Sequence, residues 1–233
     1  AYRQESRPGG TRYPNVNRDI NARMNLGSFL VSYLGHGGIN GWAEERVLTI
    51  PEIQAWNSGG RLPLMITATC EFTRYDNPTF TSAGEWVLLN PRGGAVALMT
   101  TTRVTFTNTN MALSTNILRD QLFRKVGGEF QTLGEIFMNA ANPLLFEVNT
   151  RNFCLLGDPA LRLAYPKELG VVTHVNNIDV TVMPDTLRAL AKVRISGDVR
   201  DVATNQLLNN FNGVLTPTVF DKPSEITTLA NDI

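Results

Sequence analysis

The chain contains two histidines and two cysteines, and one of each stands where a reacting group is expected. His36 lies in Gly35-His36-Gly37-Gly38, directly after the apolar run Phe29-Leu30-Val31-Ser32-Tyr33-Leu34. Cys70 closes a second apolar run, Leu62 to Thr69, 34 residues later. A free thiol with a pKa of about 8.5 is only a few per cent thiolate at neutral pH. A nearby imidazole raises that fraction and later protonates a leaving amine. A His–Cys pair is therefore suited to acyl transfer through a thioester. The glycines around His36 let backbone N–H groups approach a substrate carbonyl, which makes the amides of Gly37 and Cys70 the natural oxyanion donors. A buried cysteine or a histidine marking a turn has the same local look; it is the arrival of both at strand ends, in the order His then Cys, that favours catalysis. Cys154, inside Phe153-Cys154-Leu155-Leu156, has no polar neighbour in sequence and is expected in the core. His174, beside Thr173, is expected at the surface.

These residues need elements to carry them. A turn-rich arm is expected over the first fifteen residues, then a helix from about Asn17 to Leu26 with Ile20 and Met24 on one face. The run Phe29–Leu34 fits a central strand covered on both faces, as in a parallel sheet. Thr49-Ile50-Pro51-Glu52 has capping-box spacing and opens a short helix with Ile53 and Trp56. Strands follow at Leu62–Thr69 and Ala95–Thr100. Asn110 is expected to cap a helix bearing Leu113, Ile117, Leu118 and Leu122. Thr132-Leu133-Gly134-Glu135 opens another helix, to about Ala141, and Phe153–Leu156 is a fourth strand. Glu85, three residues after Ser82, is expected as a helix N-terminal charge. Strands alternating with helices imply a mainly parallel α/β sheet. In open parallel sheets functional groups gather at the carboxyl ends of strands, and adjacent strands lie about 4.8 Å apart, so His36 and Cys70 can meet there.

At 233 residues the chain is long enough for one sizeable core and part of a second, at about 150 residues per domain. After Tyr165-Pro166 the text shifts to short alternating pieces, Val180–Val182, Ala191–Ile195 and Gly213–Leu215, as in an antiparallel sandwich. The expected division is 1–166 and 167–233. Charge balances, with 21 basic and 21 acidic residues, which argues against general nucleic-acid binding and polybasic membrane attachment. The composition, 42% hydrophobic and 18% charged, is that of a globular chain. The longest apolar runs fall far short of the roughly 20 residues needed to cross a bilayer. Two cysteines make no disulfide framework and two histidines count against a zinc site, so no metal is expected. The opening Ala-Tyr-Arg-Gln-Glu carries neither an initiator Met nor a signal segment, so a mature or excised piece is expected.

Four blocks carry a family resemblance: Tyr33-Leu-Gly-His-Gly-Gly38, Gly41-Trp-Ala-Glu-Glu-Arg46, Leu62-Pro-Leu-Met-Ile-Thr-Ala-Thr-Cys-Glu-Phe-Thr-Arg74 and Gly93-Gly-Ala-Val-Ala-Leu-Met-Thr-Thr-Thr-Arg103. Over Tyr2 to Pro166 the chain resembles the gingipain-type cysteine peptidases, and among them the type that serves as sortase of the bacterial type IX secretion system. Asn152-Phe-Cys-Leu-Leu-Gly-Asp-Pro159 is similar to the closing strand that precedes an immunoglobulin-like domain in that family. The resemblance implies a caspase-like α/β/α sandwich with a mainly parallel sheet, N-terminally incomplete because only about 28 residues precede the His strand, followed by part of an immunoglobulin-like β-sandwich. It implies His36 as general base and acid and Cys70 as nucleophile. The animal caspase motif is absent around Thr69-Cys70-Glu71-Phe72, so aspartate specificity is not expected.

Substrate contacts are then expected from Thr101, Thr102 and Arg103, which leave the strand after the Cys strand, from Trp42 beside His36, and from Glu71. Each has a plainer alternative: a solvated strand end, an amphipathic cover over the sheet, and an ion pair with Arg74. Trp42, Phe72 and Tyr75 are candidates to shield an acyl-enzyme from water. The resemblance implies removal of C-terminal signal domains from secreted protein cargo, transfer of the new carboxyl end to an anionic lipopolysaccharide, partner subunits of an outer-membrane attachment complex, and a cell-surface or extracellular location. No cofactor is implied; a structural calcium is compatible with the family but has no ligand set in the sequence. A secreted gingipain-like endopeptidase and a catalytically silent module with the same fold are the competing expectations.

Overall fold

The computed structural model describes residues 2–182, 187 and 190–219. The chain divides into two compact units, Ala1–Ala164 and Tyr165–Ile233.

The first unit is built on a four-stranded sheet. Its strands are β1 (Leu30–Leu34), β2 (Leu64–Ala68), β3 (Ala97–Thr101) and β4 (Phe153–Leu156), in the order β4-β3-β2-β1. β1 and β2 run parallel, as do β2 and β3, while β4 closes the sheet antiparallel to β3. Helices cover both faces, and side-chain alternation sorts the strand residues between them. Leu64, Ile66, Ala68, Ala97 and Met99 pack under α4 (Thr107–Thr115), its continuation Asn116–Gln121 and α5 (Leu133–Ala141), against Leu113, Ile117, Leu133 and Ile136. Met65 and Leu98 face the opposite way, against Met24 of α1 (Pro14–Leu26), Ile53 of α2 (Ile50–Ala55) and Val87 of α3 (Ala83–Leu89). Both faces are covered, which is why β2 and β3 are buried at every position and carry no polar residue other than threonine.

The run Phe29–Leu34 was expected at the centre of the sheet, yet β1 is an edge strand and Leu34 is 39% exposed. Its near-continuous hydrophobicity, interrupted at the exposed Ser32, reports helices on two faces and carries no information about a strand on either side. Phe153–Leu156 is the expected fourth strand, and it is the one that pairs antiparallel in an otherwise parallel sheet. The N-terminal arm contains a hairpin, Glu5–Arg7 with Gly10–Arg12. Capping boxes open α2 at Thr49/Glu52, α3 at Ser82/Glu85 and α5 at Thr132/Glu135. Asn110, expected as a cap, lies inside α4, which starts three residues earlier at Thr107.

The second unit contains a three-stranded antiparallel sheet of β5 (Glu168–Val175), β6 (Ile178–Asp179) and β7 (Ile195–Asp201), with β5 in the middle. Val180–Val182, expected as a strand, is a turn in which the Asp179 carboxylate accepts from the N–H and hydroxyl of Thr181 at 2.8 and 2.7 Å. Gly213–Leu215 is not a strand either, and only Ile195 of the piece Ala191–Ile195 joins the ladder. His174 is half-buried, its Nδ1 3.0 Å from the Thr173 hydroxyl. The remainder of the expected β domain, from 220 onward, lies outside the described residues.

Candidate active site

The parallel register aligns Leu34 with Ala68. His36 and Cys70 each stand two residues beyond an aligned pair, so they leave the same end of the sheet from neighbouring strands. The ladder continues one step further, where the Gly35 N–H donates to the Ala68 carbonyl at 3.3 Å.

Beyond β1 the chain enters a small three-stranded meander of Gly37–Gly38, Gly41–Trp42 and Leu48–Thr49. The His36 carbonyl accepts from the Ala43 N–H at 2.8 Å and from the Tyr33 hydroxyl at 2.6 Å. Burial, and then the Glu45 carboxylate, raise the Tyr33 phenol above its ordinary value, so it persists as a donor. The backbone of His36 is thus held while its imidazole is exposed. Hydrogen-bonded and non-bonded pairs alternate along an antiparallel ladder. Since 36 bonds 43, the pair Gly37/Trp42 is a non-bonded one, and the Gly37 N–H points away from the hairpin. Gly37 also lies tight against the Cys strand: a Cβ there would fall 2.6 Å from the Thr69 hydroxyl oxygen and 2.8 Å from the Gly41 carbonyl. A side chain at 37 would push the His loop off the residue that precedes the nucleophile.

Cys70 is half-buried, and its thiol hydrogen-bonds the Thr105 carbonyl at 3.6 Å. The next residue, Glu71, has φ +49°, a left-handed conformation that a non-glycine residue pays for, and its N–H donates to the Arg103 carbonyl at 3.2 Å. The Thr73 N–H follows with a bond to the Thr101 carbonyl at 3.0 Å. The chain after Cys70 is thereby pinned along the end of β3.

An open cleft of about 940 Å³ is lined by His36, Gly37, Gly38, Glu44, Arg46 and Glu71, among others. Of the expected substrate contacts only Glu71 faces it, and its carboxylate is paired with Arg74 at 3.0 Å. Trp42, expected beside the cleft, is instead 3% exposed, stacked on Tyr33 at 4.4 Å and packed against Phe72, which is fully buried. A ring that flat and apolar gains more from the core than from solvent, so it supports the wall from behind. The same burial removes Phe72 as a shield; Tyr75 is 53% exposed.

Thr101 is likewise no wall of the cleft: it is fully buried and its hydroxyl donates to the Thr69 carbonyl. The Thr102 hydroxyl donates to the Asn152 carbonyl at 3.2 Å. Arg103 is exposed and forms a two-pronged ion pair with Asp76, whose carboxyl it holds below the usual range. Cys154, at position 100's partner on β4, is pushed up to about 11 by burial, which keeps it a neutral thiol. Among the described residues no cluster of three His, Cys, Asp or Glu side chains is arranged to hold a metal ion, and no helix is long and apolar enough to cross a membrane.

The sequence reading missed Tyr33, Thr105 and Asn110. The Asn110 amide donates to the Ala68 carbonyl at 3.4 Å, tying α4 to the strand that carries Cys70. The position of Tyr33, three residues before His36, was the one legible signal.

The fold has solved counterparts. The complex of the RgpB pro- and mature domains of Porphyromonas gingivalis matches with a TM-score of 0.57 and 16% identity, over 67% of this chain and 40% of that one. The Arg-specific cysteine proteinase gingipain R (RgpB) matches at 0.56 and 18%, over 67% and 39%. At these identities the likeness is one of fold, the caspase-like α/β arrangement of gingipains. The chain spans about two fifths of the length of these solved structures. No curated protein sequence matches it. The model of peptidase family C25 matches residues 1–164, the whole of the unit that carries His36 and Cys70. The chain belongs to peptidase family C25.

Proposed function

We propose that the protein is a cysteine peptidase in which Cys70 is the nucleophile and His36 the general base and acid. The observation that carries this is the register Leu34↔Ala68, which delivers both groups from the same end of two adjacent strands. Cys70 sulfur attacks the scissile carbonyl, and the Gly37 and Cys70 N–H groups receive the oxyanion. His36 protonates the departing amine, leaving a thioester that an acceptor amine or water resolves.

Within this chemistry we read the protein as a sortase of the PorU type. Its substrates are then secreted proteins with C-terminal signal domains, its acceptor an anionic lipopolysaccharide, and its partners the subunits of an outer-membrane attachment complex at the cell surface. Support comes from the sequence blocks around His36, Cys70 and Arg103, and from the charge of the cleft. The specificity named for the gingipain R neighbour is for arginine, which calls for unpaired negative charge. Here Glu71 is neutralised by Arg74, and the exposed Glu44 is offset by Arg46. The second unit is read as the beginning of an immunoglobulin-like domain, in keeping with its antiparallel pairing.

The test is turnover of a signal-domain cargo in the presence of an amine-bearing glycolipid, with mass spectrometry of the new cargo C-terminus. An amide-linked product, abolished by Cys70→Ala and by His36→Ala, is expected. Free acid alone at every acceptor concentration would place the protein with the endopeptidases, and full activity in Cys70→Ala would end the catalytic assignment.

A further inference from the structure

The backbone ladder between β2 and β3 stops at Ile66↔Met99, three residues short of Thr69. Beyond it, side chains take over. The Thr69 carbonyl accepts two hydroxyl donors, Thr101 and Thr105, the latter at 3.3 Å. All three residues are buried, with Thr69 and Thr101 fully so and Thr105 7% exposed. A carbonyl in such a place is costly to leave unpaired, so both donors stay engaged.

The peptide bond between Thr69 and Cys70 is planar and trans, so its C=O and N–H point in opposite directions. Anchoring the Thr69 oxygen on the β3 side therefore aims the Cys70 N–H toward the β1 side. The preceding carbonyl obeys the same alternation, since Ala68 C=O faces β1 and accepts from Gly35. On that side Gly37 closes on Thr69, with its own N–H turned away from the hairpin. Among the described residues the Cys70 N–H has no hydrogen-bond partner.

We infer that Thr101 and Thr105 are positioning residues: their hydroxyls clamp the Thr69 carbonyl and so aim the Cys70 N–H as an oxyanion donor. This rests on the cysteine-peptidase assignment for its catalytic consequence, but the orientation itself is independent of it. Thr101→Val and Thr105→Val remove a donor at nearly constant shape, and Thr→Ser at each position restores it.

The experiment uses the full-length protein, with p-nitrophenyl acetate as acyl donor, iodoacetamide as a probe of Cys70 that needs no oxyanion donor, and the residual dipolar coupling of the Cys70 N–H as a readout of its direction. For the double valine variant kcat is expected to fall about tenfold to a hundredfold, less than the loss of a whole oxyanion donor, with KM and the rate of Cys70 alkylation unchanged. The serine variants recover kcat. The Cys70 coupling shifts in the valine variants while those of Leu64 to Thr67 hold. A Cys70 coupling that does not move, or a kcat loss that serine fails to rescue and alkylation shares, would overturn the inference. Absence of ester turnover in the unsubstituted protein would instead count against the peptidase assignment, with the dipolar coupling still deciding whether the clamp aims the amide.

Discussion

Alanine at Gly37 and, separately, at Gly38 places the same methyl group in two very different surroundings one residue apart. At 37 the new Cβ would stand 2.6 Å from the Thr69 hydroxyl oxygen and 2.8 Å from the Gly41 carbonyl, where ordinary contact begins at 3.4 Å. Neighbouring atoms must therefore give by about 0.6–0.8 Å. Thr69 is fully buried and cannot swing into solvent, and the Gly41 carbonyl belongs to the hairpin backbone. Overpacking of this kind costs about 1–3 kcal/mol. The displacement falls between the His36 loop and the residue before Cys70, where a misplacement approaching 1 Å costs up to about a hundredfold in rate. At 38 no atom lies within 4 Å of the new Cβ, so Gly38→Ala should change stability by less than about 0.5 kcal/mol and leave turnover intact. Denaturant melts give the stability difference, and p-nitrophenyl acetate hydrolysis gives kcat. Should Gly37→Ala prove as stable and as fast as the parent, or Gly38→Ala be equally damaged, the close approach of the His loop to the Cys strand would be refuted as a determinant of the site.

The remaining expectations concern residues around the site. Cys154, with its thiol raised to about 11 by burial, should resist iodoacetamide at pH 7 while Cys70 is labelled, as peptide mapping would show; equal labelling would contradict it. Because the fold favours the neutral thiol, the stability Cys154 contributes is complete at neutral pH and is lost as pH rises through about 9 toward 11, so denaturation midpoints should fall there more in the parent than in Cys154→Ala. The Thr100 hydroxyl sits between those of Thr67 at 2.7 Å and Thr73 at 2.9 Å, all buried; Thr100→Val should cost about 1–3 kcal/mol in a urea melt, with Thr100→Ser closer to the parent. Glu85 accepts from the N–H and hydroxyl of Ser82 at 2.7 and 2.6 Å, so Glu85→Ala should cost about 1 kcal/mol through the lost cap of α3, and an unchanged melt would argue against the capping box.

The sequence by itself determined what depends on near neighbours. The capping boxes at Thr49, Ser82 and Thr132 are satisfied within four residues, and the largely apolar runs ending at Leu34 and Thr69 reflect helices packed on both faces of the sheet. The placement of His36 and Cys70 at strand ends followed from those runs, and the family blocks are themselves sequence. Tertiary structure alone decided what depends on register and on contacts across tens of residues. Whether β1 is central or at an edge, and whether β4 is parallel or antiparallel, depends on which strands pair, and hydrophobic patterning is blind to that. Trp42 and Thr101 looked like cleft residues because aromatic and hydroxyl side chains serve in both places. Only the packing of Trp42 between Tyr33 and Phe72, and the bond from Thr101 to a carbonyl 32 residues away in sequence, assigned them to support. Thr105 and Asn110 carry no local signal at all. They matter because the chain after β3 returns through α4 to the end of β2, where the Thr105 hydroxyl and the Asn110 amide add second donors to the Thr69 and Ala68 carbonyls.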